Sequence, residues 1–209
     1  MCDFLMSNFQ HWGRGSDLLP EMQKIIENEG LKHNMSIKQC MSLRRQILRA
    51  LYGSKVFDMH LQMGDSFSGL RYAEEFENIV AKRLKELKIP FWGEEEQKKR
   101  QKRGIMPKHG TPDFYLQQPI TVNGCPVTWI ECKTYFGSSH MVTFESRTKH
   151  KIPMQITVQN IANYLNYGPG AVVFLNGFSP DLQNMVTRGI GPCVLLDASD
   201  LDISSLDKF

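Results

Sequence analysis

The stretch TPDFYLQQPITVNGCPVTWIECK, residues 111–133, constrains this chain most, because it reads as two strands joined by a turn of defined length. Asn123-Gly124 supplies the two residues that tolerate positive φ in a tight hairpin turn, and β-branched and aromatic residues flank it. The turn sets Val122 opposite Cys125, and a ladder counted back without interruption sets Asp113 opposite Thr134. Side chains alternate between faces along a strand, so a regular ladder sends Asp113 and Glu131 to opposite faces. One extra residue in the first strand brings Asp113, Glu131 and Lys133 to a common face. Gln117-Gln118-Pro119 is the expected place for it, since proline donates nothing to a ladder and favours bulges and edges.

Two carboxylates and an ammonium at one strand end suit a definite chemistry. Hard divalent cations such as Mg²⁺ take one or two carboxylates and complete their shell with water and substrate phosphate. Such an ion lowers the pKa of bound water and neutralises charge developing on phosphorus, and a neighbouring lysine orients the water or stabilises the transition state. Phosphodiester hydrolysis is the reaction this set serves. The alternative is that the three charges are solvated strand ends, since so short a pattern also arises by chance.

A longer set of residues narrows the choice. Thr111-Pro112-Asp113, Pro119-Ile120, Val122, Gly124, Trp129-Ile130-Glu131-Cys132-Lys133, Phe136-Gly137 and Tyr167-Gly168-Pro169-Gly170 together resemble the TPD branch of the PD-(D/E)xK nuclease superfamily. The resemblance covers roughly residues 70–197. It implies an α/β fold with a restriction-endonuclease-like core (a helix, a three-stranded antiparallel meander, a helix and a further strand) behind a small helical region, divided at 1–66 and 67–209. It also implies a metal-dependent nuclease, acting on DNA more than RNA, in which Asp113, Glu131 and the backbone carbonyl of Cys132 hold Mg²⁺ or Mn²⁺ and Lys133 orients the attacking water. Cys132 stands where the branch has serine, but the middle residue of E-x-K points away from the site, so a buried thiol fits. Nucleic acid is the implied partner, with a codanin-like protein as a second and a homodimer as one possible assembly. A rival reading keeps the scaffold without catalysis, as a nucleic-acid-binding or adaptor protein.

A helix is expected over residues 68–88, and at about 100° per residue Ala73, Phe76, Val80, Leu84 and Leu87 form one apolar stripe with Glu77 inside its edge. A carboxylate turned toward apolar surface costs free energy unless it is paired or bound to a metal. Glu77 is therefore the candidate third carboxylate, and it matches the helix glutamate implied by the resemblance; a salt bridge at the core edge is the alternative. Glu74 is the second choice, and Glu75 is expected to face solvent.

The segment 90–96 follows Pro90 and reads as a first strand, and Lys98-Lys99-Arg100-Gln101-Lys102-Arg103 follows as a basic loop. That run suits phosphate contact, nuclear import or plain solvation. A second basic cluster, Arg147, Lys149, His150 and Lys151, precedes a helix expected over 153–166 with Ile156, Ile161, Tyr164 and Leu165 in the core. Gln159 on that helix matches the glutamine implied after E-x-K, where an amide suits a water or a phosphate oxygen, and equally suits an ordinary helix surface; Asn163 stands where an aromatic is expected, with Tyr164 next. AVVFL, 171–175, reads as a strand covered on both faces, 181–186 as a short helix and 193–196 as a last strand.

At 209 residues, 41% hydrophobic and 22% charged, the chain has ordinary globular composition, and its net charge of +3 permits nucleic-acid binding without requiring it. Five cysteines without C-x-x-C or Cys/His spacing argue against a disulfide framework and a zinc site. No apolar run reaches membrane-span length and the first residues lack signal-peptide order, so an intracellular protein of nucleus or cytoplasm is expected. Upstream, helices are expected over 16–30, 36–53 and 55–63; Lys38, Arg44, Arg45 and Arg49 on the second suit either a helix-turn-helix or a helical cap with a solvated basic face.

Overall fold

The structure, a computed structural model, describes residues 66–143, 145 and 151–200, together with Met35, Gln39, Ser42, Leu43 and Gln46. The expected helices over 16–30 and 55–63, the cluster Arg147, Lys149 and His150, and the last nine residues lie outside the described residues, as does most of the helix over 36–53.

Helix α1, Ser66–Glu86, leads into β1, Phe91–Trp92, and then into α2, Glu94–Lys102. The hairpin follows as β2, Phe114–Val122, and β3, Cys125–Lys133. A single turn of helix, α3 (His140–Thr143), precedes α4, Pro153–Tyr164, which tightens into a 3₁₀ turn over Leu165–Tyr167. The chain closes with β4 (Gly170–Phe174), α5 (Pro180–Gly189) and β5 (Cys193–Asp197). The strands form one sheet in sequence order, antiparallel from β1 to β3 and parallel from β3 to β5. Parallel neighbours need a crossover, which α4 and α5 provide.

Alternation along the strands divides the core between the two faces. Phe114, Leu116, Ile130 and Cys132 pack with Phe76 and Leu84 of α1. Trp129, Val172, Phe174 and Leu195 pack with Met154, Ile161 and Tyr164 of α4 and Leu182 and Val186 of α5. Met35 and Leu43 belong to this second core, and the Phe136 backbone is held there on both sides, its N–H donating to Ser42 Oγ at 2.8 Å and its carbonyl accepting from Gln46 Nε2 at 2.7 Å.

Several local expectations need correction. The basic run is helical and the strand ahead of it is only two residues long, because three glutamates at 94–96 begin α2 where its N-terminal amides favour negative charge. Lys98 and Arg100 then pair one turn back with Glu94 at 2.5 Å and Glu96 at 2.9 Å. Leu87 is exposed, since α1 ends at Glu86 and the chain turns through Lys88 at φ 56°. Ile156 is exposed too, out of phase with the buried stripe of Met154, Thr157, Ile161 and Tyr164. Glu75 is half-buried and engaged, whereas Glu74 is exposed.

Candidate active site

The hairpin turn forms at Asn123 and Gly124, with φ of 50° and 77°. Pairing from Val122↔Cys125 to Ile120↔Val127 is regular, then breaks, and resumes at Tyr115↔Trp129 and Phe114↔Ile130. Across the break four residues, 116–119, stand against residue 128 alone, so β2 carries three extra residues rather than the one expected. Any odd number restores the common face. Three extra set Asp113 against Glu131 itself, where one would have set it against Lys133.

Backbone and side chains lock together at that point. The Asp113 N–H donates to Glu131 Oε2 at 3.2 Å, and the Cys132 N–H donates to Asp113 Oδ2 at 2.6 Å. Lys133 Nζ donates to Glu131 Oε1 at 2.7 Å. Glu131 is 4% exposed, so its charge is sustained by these two donors rather than by water. The Cys132 side chain turns to the α1 face among Phe76 and Ile130, and burial pushes its thiol well up, which leaves it inert.

Like charge and burial shift the group as a whole. Burial, then the Asp113 charge, pushes Glu77 up to about 7. Burial also raises Asp113 and takes Glu131 up to about 7, with Lys133 opposing both shifts. Burial alone would lower the Lys133 ammonium, but Glu131 and Asp113 outweigh it and hold it charged. Beside Lys133, the buried Tyr135 hydroxyl is pushed to about 12 and hydrogen-bonds Thr157 of α4.

Of the residues singled out from sequence, Asp113, Glu131, Cys132 and Lys133 meet at the start of β2 and the end of β3, with Glu77 electrostatically coupled to Asp113 from α1. Gln159 does not join them. It is exposed on the outer side of α4, bonded by Lys151 Nζ at 2.5 Å, and lines a cavity of about 480 Å³ with Gln155, Val158 and Ile190. Among the described residues no three Cys, His, Asp or Glu side chains are gathered as a ready-formed metal cluster. The oxygens of Asp113 and Glu131 described above are turned to protein donors instead.

Three contributors were not anticipated. Gln97, fully buried, donates through Nε2 to the carbonyls of Trp92 at 2.8 Å and Pro112 at 2.7 Å, anchoring the peptide that carries Asp113. Glu94 sits at the same end of α2, accepts from Thr111 Oγ1 at 3.4 Å, and helps raise both Glu77 and Asp113. The Tyr164 hydroxyl donates to the Thr111 carbonyl at 3.3 Å, and burial followed by the Glu131 charge keeps it protonated. Tyr164 had a signal in its place beside Asn163. Gln97 and Glu94 have none, because α2 lacks the apolar stripe that marks a helix in sequence.

A family described as "Protein of unknown function TPD sequence-motif" matches residues 39–191, which spans the site and both core faces. The chain belongs to the TPD family. Among curated relatives it is 32% identical over 133 residues to CDAN1-interacting nuclease 1 of Danio rerio, covering 63% of this chain and 38% of that protein. The protein of the same name from Xenopus laevis is 29% identical over 130 residues, covering 61% and 37%. The Homo sapiens protein is 35% identical over 83 residues, covering 38% and 25%. The matched stretch thus spans well under half of these relatives. No solved structure gives a significant match. As for the membrane, no helix among the described residues is long and apolar enough to cross one.

Proposed function

We propose that this TPD-family chain is a divalent-metal-dependent nuclease that hydrolyses phosphodiester bonds, with DNA the preferred substrate. The observation that carries the reading is the cross-strand lock of Asp113, Glu131 and Lys133, with Glu77 close enough for the Asp113 charge to raise it. The order helix, strand, strand, strand, helix, strand, with the first three strands antiparallel, supports a restriction-endonuclease-like core into which α2 is inserted. The name of the curated relatives supports the same activity and makes a codanin-like protein a second proposed partner.

The donor set fits a hard cation. Three carboxylates raised first by burial and then by neighbouring acidic charge, Asp113 on Glu77 and Glu131 and Glu94 on Asp113, carry an electrostatic cost that a bound divalent ion would offset. Asp113, Glu131 and the Cys132 carbonyl would hold Mg²⁺ or Mn²⁺, with Glu77 completing the shell directly or through water. Bound there, the ion supplies a water of lowered pKa and neutralises charge on the phosphate. Lys133, fixed by Glu131 and 19% exposed, presents an ammonium that orients the nucleophile and steadies the developing oxyanion. Gln97 and Tyr164 hold the 111–113 backbone so that Asp113 keeps its place.

The test is a panel of labelled duplex, single-stranded, flap and four-way DNA with Mg²⁺ or Mn²⁺, run beside Mn²⁺ titration calorimetry. Metal-dependent cleavage that disappears in Glu131→Gln is expected. Cleavage that persists in that variant removes the assignment, and binding of DNA without Mn²⁺ uptake or cleavage favours the adaptor reading.

A further inference from the structure

Helix α2 is built in two halves of opposite charge, and its orientation puts them to different uses. Its first half abuts the site through Glu94 on Thr111 and Gln97 on Pro112, and its second half reaches Gly110, where Gln101 Nε2 donates to the carbonyl at 2.8 Å. Nine residues of α-helix span about 13 Å. Glu94 to Lys102 is therefore a straight segment leading away from Asp113.

The mounting of this segment is firm. Arg100 lies 3.9 Å over the Trp92 ring, Trp92 stacks on Tyr115 at 5.4 Å, and Tyr115 meets the edge of Tyr167 at 5.3 Å. The Tyr167 hydroxyl accepts from the His109 N–H at 3.1 Å and from Gln101 Nε2 at 3.1 Å, and lies 2.8 Å from the Pro107 carbonyl. Tyr115 shares its sheet face with Asp113 two residues earlier, so the stack begins next to the site.

The cations sort by partner. Lys98 and Arg100 are absorbed by Glu94 and Glu96. Lys99, Lys102 and Arg103 are exposed, recur at i, i+3 and i+4 on the outward side, and have no acidic partner within 4 Å among the described residues; Lys108 is exposed on the loop that Tyr167 pins. Like charges at that spacing repel, and a line of phosphates relieves the repulsion.

We propose that Lys99, Lys102, Arg103 and Lys108 form a phosphate rail that carries a nucleic-acid backbone along α2 to the Asp113 site. The rail rests on the nuclease reading for its purpose but not for its measurement.

The full chain and the variant with Lys99, Lys102, Arg103 and Lys108 all changed to Gln are titrated against a labelled 20-mer, duplex and single-stranded, in EDTA over a range of salt. The expected result is affinity at least tenfold weaker and a log K against log salt slope shallower by about three, larger on duplex than on single strand. Arg100→Met serves as the control, with a lowered Tm and an unchanged slope, because its charge is already spent on Glu96 and Trp92. Should the quadruple variant show a reduced Tm, Lys102→Gln/Arg103→Gln replaces it, with half the slope change. A native-like variant with unaltered affinity and slope overturns the rail, and so does a wild-type chain that binds neither DNA. Salt-dependent binding that the variants weaken, in a chain that cleaves nothing, leaves the rail standing and removes the nuclease reading.

Discussion

Glu131 is buried and accepts from both a backbone amide and an ammonium. Alanine there strands two half-buried donors, the Asp113 amide and the Lys133 ammonium, at a cost of about 1–3 kcal/mol each. Glutamine keeps an acceptor and is the cleaner probe. The sign of the pH effect follows from the raised folded-state pKa. Burial lifts Glu131 to about 7, so the fold holds that proton more tightly than the unfolded chain, and the stabilisation present at low pH is lost as pH rises from about 4.5 through 7. In metal-free buffer Tm is expected to fall between pH 5 and pH 8, and to fall less steeply in Glu131→Gln; equal slopes in thermal melts would contradict the assignment. Metal uptake runs the other way, since ligation needs the carboxylates ionised. Calorimetric Mn²⁺ affinity should weaken below about pH 7, where Glu77 and Glu131 take up protons.

At the scale of elements, the amide of Gln97 and the glycines after α4 do work that charge patterns do not reveal. Gln97→Leu removes both bonds to the Trp92 and Pro112 carbonyls and leaves them buried without a donor. A loss of about 2–4 kcal/mol is expected in urea unfolding, together with cleavage reduced more than tenfold at unchanged metal stoichiometry. Gly170 is equally unforgiving. A Cβ there would stand 2.0 Å from the Trp129 ring, whose Nε1 donates to the Gly168 carbonyl at 2.9 Å. Gly170→Ala is expected to unfold the parallel half of the sheet or lower Tm by 10 °C or more, read by circular dichroism. The hairpin, α1, α4 and the three later elements were legible because period, turn chemistry and helix stops agreed on them. Helix α2 was not legible. It has a single fully buried residue, and a polar one, so it shows no apolar stripe, and its evidence lies in the i, i+4 pairing of acids with bases. Gln159 lies apart from the Asp113 group for a related reason. A residue matched by spacing on a helix gains or loses the site with the helix phase, and the phase of α4 turns Thr157 and Tyr164 inward.

For the molecule as a whole, the sheet places the proposed site where its antiparallel and parallel halves join. β3 is the last antiparallel and first parallel strand, and Glu131 and Lys133 stand at its end, beside Val172 and Phe174 of β4. Both core faces therefore support one strand, which holds the charged groups against their own repulsion. The two-residue turn and the carboxylate pair are fixed points, and the irregular segment of β2 lies between them. Length changes in that segment are consequently counted in twos. Loss of a single residue between Leu116 and Pro119 would rotate the aspartate through the sheet to the face that packs on α1, whereas loss of a pair would slide it two residues along the same side. Insertions and deletions that survive in this family at that place should accordingly be even in number.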